Sequence, residues 1–294
     1  MAFWHSYVNR KDSMHVHSSL KLLVADLDGT LLHDGPSFED RALTARTIET
    51  VSRAHEQGML IAVATARPVR TSWDIVHQIP VDACVYLNGA LIDLSPQRSS
   101  YELLTGQGSS STRRQVGHLL RHGFSAHRAA EVCLALLSAI PTLRLGVVMN
   151  DKRYTNFDIR MLWPMEECHL TDFSDLPQGD ADKIIIFPRD HEVTPLNTVL
   201  PEDFEVHVSE GSMWMLMNPE ANKESALRTL CASMGLSPDE VAAFGDDAID
   251  IAMMATAGVG VAVSNAIQPV LDIADQICPS NNDDGVAQWI DGIL

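Results

Sequence analysis

No stretch of this chain approaches the ~18 consecutive apolar residues that a membrane-spanning helix needs, so a membrane protein is not expected. No two cysteines have CxxC spacing. The five, Cys84, Cys133, Cys168, Cys231 and Cys278, are odd in number and scattered, which argues against a zinc site and a disulfide framework and reads as thiols in a reducing compartment. Cations are scarce, with 21 Lys and Arg against 39 Asp and Glu and a net charge of −18. A surface this acidic repels phosphate backbones and anionic lipid, so neither nucleic acid nor a membrane is an expected partner. It also repels small phosphate esters at long range, so any phosphate site must bring its own cations. Residues 1–19 lack the apolar stretch of a signal peptide and read as a polar leader of a cytoplasmic protein, with His5, His15 and His17 as stray side chains.

What the chain does have is a repeated rhythm of short apolar runs and amphipathic stretches over 294 residues. Lys21–Ala25 reads as a buried strand that breaks at Asp26-Leu27-Asp28-Gly29-Thr30. A helical pattern over 40–57 stops at Gly58, a second strand covers Met59–Ala64, and a third covers Ala83–Leu87. The rhythm returns after a helix at Lys223–Met234, with strands at Val241–Phe244 and Val259–Val263. Alternation of this kind predicts an α/β fold with a doubly wound parallel sheet. The middle is less regular and rich in turn signals such as Gly106-Gln107-Gly108, and Asn150-Asp151 before Lys152–Asp158 suggests a hairpin. We therefore expect a core domain from 20–90 and 208–294, interrupted by an inserted α+β cap domain over 91–207.

In an open α/β sheet, ligands bind where the carboxyl ends of the strands converge. That edge should hold Asp26 and Asp28 from the first strand, Thr65 from the second, and Asp246 with Asp250 from a later one. Each alone has an ordinary explanation: a DxD turn, a helix cap, a solvated lysine at 223, an acidic turn. Together they are carboxylates crowded enough to require a hard cation, and magnesium fits oxygen ligands of this kind.

In this order, Asp26-Leu27-Asp28-Gly29-Thr30-Leu31, Thr65-Ala66-Arg67, Lys223 and Gly245-Asp246 with Asp250 resemble the four motifs of the haloacid-dehalogenase superfamily. Gly260-Val261-Ala262-Val263-Ser264-Asn265-Ala266 and Asp284-Gly285-Val286-Ala287 are similar to its Cof-type branch, in which a large cap lies between the second and third motifs. The resemblance implies a phosphatase acting on small phosphorylated metabolites, sugar phosphates first. Asp26 would be the nucleophile and Asp28 the general acid and base. Magnesium would be held by Asp26, the Asp28 carbonyl and Asp246, with Asp250 as a further ligand or an orienter of metal-bound water. Thr65, Lys223 and the N–H groups of Leu27 and Ala66 would bind phosphate oxygens. His169, Arg160, Trp163 and Trp214 are candidate contacts to the organic part of a substrate, although packing in the core or at the surface is the commoner role for each.

Three positions depart from the family pattern: Ala66 and Glu224 replace glycines, and Ile249 replaces an asparagine that helps hold phosphate in relatives. Ile249 lies beside Ala248 and Ile251, which suggests that its loop has repacked around it. The alternatives kept open are a phosphomutase-type phosphotransferase and a catalytically weak phosphometabolite-binding protein.

Overall fold

A computed structural model describes residues 19–106, 117–164, 167–209 and 212–294. The leader over 1–18 and the Gln107-Gly108 part of one expected turn lie outside the described residues. The first stretch of chain forms strands β1 (Leu22–Ala25), β2 (Leu60–Ala64), β3 (Ala83–Tyr86), β4 (Leu91–Asp93) and β5 (Leu119–Arg121). The middle forms β6 (Phe124–Ser125), β7 (Arg144–Met149), β8 (Lys152–Thr155), β9 (His169–Leu170), β10 (Asp180–Ala181), β11 (Lys183–Phe187), β12 (Glu205–Ser209) and β13 (Met213–Met217). The last stretch adds β14 (Val241–Gly245), β15 (Val259–Val263) and β16 (Gln276–Cys278).

The larger sheet has eight strands in the order β16-β15-β14-β1-β2-β3-β4-β5. From β16 to β3 all pairings are parallel, and β4 and β5 extend the edge antiparallel. The central strands β1, β3, β14 and β15 are buried along their whole length, which is why each reads as an unbroken apolar run rather than as an alternation. Ala45–Glu56 packs with Gly285–Asp291, and Lys223–Met234 with Ile251–Thr256, to cover this sheet.

A second sheet has the order β12-β13-β11-β7-β8-β9 and is antiparallel except for β8 with β9. The β7–β8 hairpin turns at Asn150 and Asp151, both with positive φ, as expected of that dipeptide. Sheet membership divides the chain elsewhere than at 91 and 207. β4 and β5 belong to the larger sheet and β12 and β13 to the smaller one, so the insertion runs from about 122 to 217. The apolar residues of β4 and β12 alone do not reveal which sheet they join. The two crossings are tied together by Asn218, whose side-chain amide donates to the Gly123 carbonyl at 2.9 Å.

The cap sheet has two distinct faces. Leu145, Val147, Ile184, Ile186 and Leu216 pack with the helix Ala126–Ala139 in a core of their own. Val148, Ile185 and Met215 alternate with them and join the hydrophobic cluster of the larger domain. The cavity between the domains lies along that second face.

Candidate active site

Three adjacent strands, β14, β1 and β2, deliver the site, because each stops at the same sheet edge. β1 ends at Asp26, which is 5% exposed; its Oδ1 accepts the Leu27 N–H at 2.7 Å and lies 3.0 Å from the Lys223 ammonium. The chain then reverses over Leu27–Leu31 through Gly29 at φ 71°. A Cβ there would lie 2.3 Å from Asp246 Oδ2, so only glycine lets the two loops touch. Thr30 donates to Asp246 Oδ1 at 2.7 Å, and the Asn265 amide donates to the Gly29 carbonyl at 2.8 Å, which pins the loop from both sides.

β14 ends at Gly245, followed by Asp246. Asp250 is fully buried: Oδ1 accepts from Lys223 at 2.6 Å, and Oδ2 accepts the N–H groups of Asp246 and Asp247, each at 3.1 Å. Lys223 opens the helix Lys223–Met234 behind the Asn222 cap, and its burial places the ammonium between Asp250 and Asp26. Burial alone would discharge it, but the two carboxylates outweigh burial and raise its pKa.

Ligand oxygens of Asp26, Asp246 and Asp250 lie within 4.8 Å of one another. Burial raises the Asp26 carboxyl well above its usual range against the pull of Lys223, and the charges of Asp250, Asp246 and Asp28 add to the rise. Asp246 is pushed up to about 7 by burial and then by Asp250. Carboxylates strained in this way, with oxygen donors only, suit a hard dication, which would return them to the ionised form.

Residues 23–290 match the family described as haloacid dehalogenase-like hydrolase. The chain belongs to that family. A Bacillus subtilis (strain 168) protein, the 5-amino-6-(5-phospho-D-ribitylamino)uracil phosphatase YitU, is 26% identical over 282 residues, covering 92% of this chain and 96% of its own. The fold is similar to that of the phosphatase BT1666 from Bacteroides thetaiotaomicron (TM-score 0.76, 19% identity, 98% of this chain and 100% of that one). It is also similar to the subclass IIB sugar phosphatase BT4131 (TM-score 0.70, 19% identity, 93% and 100%). Within the haloacid dehalogenase-like hydrolases this is the Cof-type arrangement, and the enzyme class is phosphatase.

Against that family pattern, two expected phosphate contacts are engaged locally. The Leu27 N–H points to Asp26, and the Thr65 hydroxyl accepts the Arg67 N–H at 3.0 Å. Thr65 is fully buried and does not itself line the cavity. Ala66 lines the cavity, and its carbonyl accepts from the cap's Lys183 at 3.4 Å.

Asp28 faces the cavity in the grip of two arginines. Arg67 donates from Nε at 2.7 Å and from Nη2 at 2.5 Å, and Arg41 from Nη1 at 2.9 Å. Burial would raise the Asp28 carboxyl, but Arg67 and then Arg41 outweigh it and hold it below its usual value. Arg67 also lies 4.0 Å over the Phe38 ring. Sequence reasoning gave Arg67 no role and missed Arg41, which precedes a helix like many surface arginines.

Of the four cap residues singled out from sequence, only Trp163 lines the cavity. Arg160 pairs with Asp158 at the surface, His169 with Glu167, and Trp214 packs against the cap's own core. The cap residues missed are Arg144, Arg153, Lys183, Phe187 and Arg189. Ile249 also departs from expectation. It is half-buried and lines the cavity, whereas Ile251 packs on the hydrophobic core, so the loop has not folded around it.

Proposed function

We propose that the protein is a magnesium-dependent phosphatase that hydrolyses small phosphorylated metabolites, sugar phosphates foremost, through an aspartyl-phosphate intermediate in the cytoplasm. The observation that carries this reading is Asp26: a buried carboxylate aimed at the cavity, 3.0 Å from a lysine and within 4.8 Å of two further carboxylates. Asp26, Asp246 and the Asp28 carbonyl would hold the cation, with Asp250 behind them. When bound, the cation neutralises the repulsion between carboxylate and phosphate.

An Asp26 carboxylate oxygen attacks phosphorus, an acyl-phosphate bond forms, and the bond from phosphorus to the ester oxygen breaks. Asp28 delivers a proton to that leaving oxygen. As a carboxylate it then takes a proton from the water that attacks phosphorus and frees Asp26. Lys223 and the Thr65 hydroxyl hold the nonbridging oxygens, where charge accumulates. Substrate must first loosen the Arg41 and Arg67 contacts so that Asp28 can take up a proton, since a carboxyl so held is ionised and has none to give. A sugar phosphate is supported by the sugar phosphatase among the structural relatives.

The test is phosphate release from a panel of phosphate monoesters, with magnesium and with a chelator, and with no second sugar acceptor. Release that needs magnesium supports the reading. Transfer only to an acceptor would instead make the protein a phosphotransferase, and no turnover of any ester would overturn the enzyme reading.

A further inference from the structure

Carboxylates on the cavity wall are confined to one domain, which pairs its own Arg41 and Arg67 with Asp28. Every acidic residue on it, Asp26, Asp28, Asp34, Glu39, Asp246 and Asp247, comes from the core. Among the described residues the cap lines it with Arg144, Arg153, Lys183 and Arg189 and with no carboxylate. Composition does not account for this, because residues 122–217 carry seven Lys and Arg against fifteen Asp and Glu. Most of the cap's few cations converge on one wall, and none of its described carboxylates lines it.

Strand register brings them together. Lys183 and Arg153 both stand opposite Val148, and Arg144 stands opposite Phe187, so all three side chains leave the sheet on the face turned to the core. Rings hold the two guanidiniums in place: Arg144 lies 5.8 Å from the Phe157 ring and Arg153 lies 4.9 Å from Trp163. Phe157 and Trp163 in turn each pack edge-on against Phe187, with centroids 5.7 Å apart. Burial, and then the neighbouring Arg153, pull the Lys183 ammonium down to about 7 against the opposing charges of Asp182 and Asp151. An arriving anion would reverse that shift.

We propose that the substrate carries a second anionic group, a carboxylate or a second phosphate, bound by Arg144, Arg153 and Lys183 while the reacting phosphate lies at Asp26. This rests on the phosphatase reading and narrows its substrate class to doubly anionic esters. In the phosphatase reading the reacting phosphate is served from the core side, by the carboxylate cluster that would hold the cation and by Lys223 behind Asp26. The competing explanation is that the cap cations serve only to draw the cap onto the acidic core.

The two are separated by pairs of esters that differ only in a hydroxymethyl or a carboxylate: glycerol 3-phosphate with 3-phosphoglycerate, and sorbitol 6-phosphate with 6-phosphogluconate. Binding is measured by calorimetry on the Asp26→Asn protein with magnesium, and turnover on the wild type. The acid of at least one pair should bind about tenfold tighter, the effect of one or two charge-assisted hydrogen bonds. At pH 8 its binding should take up a proton, read from the dependence of the heat on the buffer. Lys183→Met and Arg153→Met should each shrink the preference by at least about threefold. Equal binding of both members of each pair, or variants that weaken both members alike, would overturn the proposal; the second result would assign the cations to cap closure. If no ester is hydrolysed by the wild type, the phosphatase reading fails, and the binding ratios still decide this one.

Discussion

The two walls of the cavity are built on different principles. The core wall comes from loops at the ends of parallel strands, where residues close in sequence such as Asp26, Asp28 and Gly29 face the same site. Much of the cap wall comes from one face of an antiparallel sheet, where Lys183, Ile185 and Phe187 face the cavity at every second position of β11, and the contributors are spread from Arg144 to Met213. Chemistry fixed in a loop leaves a compact motif. Recognition built on a sheet face leaves scattered single residues, each able to vary without disturbing the catalytic loops.

The largest effect expected anywhere is on the core wall. Asp26→Asn should abolish phosphate release, while the melting temperature stays level or rises, since one of three crowded carboxylates is neutralised. Turnover near the wild-type rate would remove the covalent step. Asp28→Asn should lower kcat by about 10²–10⁴-fold, the usual worth of a positioned acid and base. If cap substitutions such as Phe187→Ala match either loss on every ester alike, the division of labour between the walls is wrong.

Metal binding sharpens the contrast through pH. Asp246 has a folded pKa of about 7, above its unfolded value, so below that pH it carries a proton that a cation must displace. Without metal, this group favours folding below its unfolded pKa and loses that contribution as pH rises through about 7. Magnesium should therefore raise the melting temperature more at pH 8 than at pH 5. Equal stabilisation at both values would mean that Asp246 is not a ligand. A smaller effect is expected from Arg41→Met: Asp28 loses one of the two cations that hold its pKa down, so the alkaline limb of kcat/KM should move to higher pH. An unmoved limb would show that Asp28 does not set it.

How much was legible in sequence follows the same division. The parallel strands and the strand-end residues were readable because burial on both faces removes polar residues from β1, β14 and β15, and the break in each run marks the site. The boundaries at 91 and 207 were not, because β4 and β12 pair with their neighbours in sequence, β3 and β13, and such a local pairing does not tell which sheet the pair joins. Arg41 and the Arg144, Arg153 and Lys183 group carry no local signature; the loop before Ala45–Glu56 brings the first to the cavity, and sheet register brings the others.

The smallest predicted effect falls where the core wall itself departs from its family pattern. Ile249 occupies the position of an asparagine that helps hold phosphate in relatives, and two outcomes of restoring the amide can be separated. Had the loop folded around Ile249, Ile249→Asn would bury an unpaired polar group and lower stability by about 1–3 kcal/mol. The side chain instead faces the cavity from the turn Ala248–Asp250, and Asp250 anchors that turn through the Asp246 and Asp247 N–H groups whatever stands at 249. An asparagine there would point its amide at the phosphate and remain within reach of water. The expected result is a melting temperature close to that of the wild type and a gain in kcat/KM of about fivefold, the equivalent of about 1 kcal/mol from one neutral hydrogen bond. A drop in both quantities would show that Ile249 is a packing residue, and that this part of the core wall has diverged as freely as the cap.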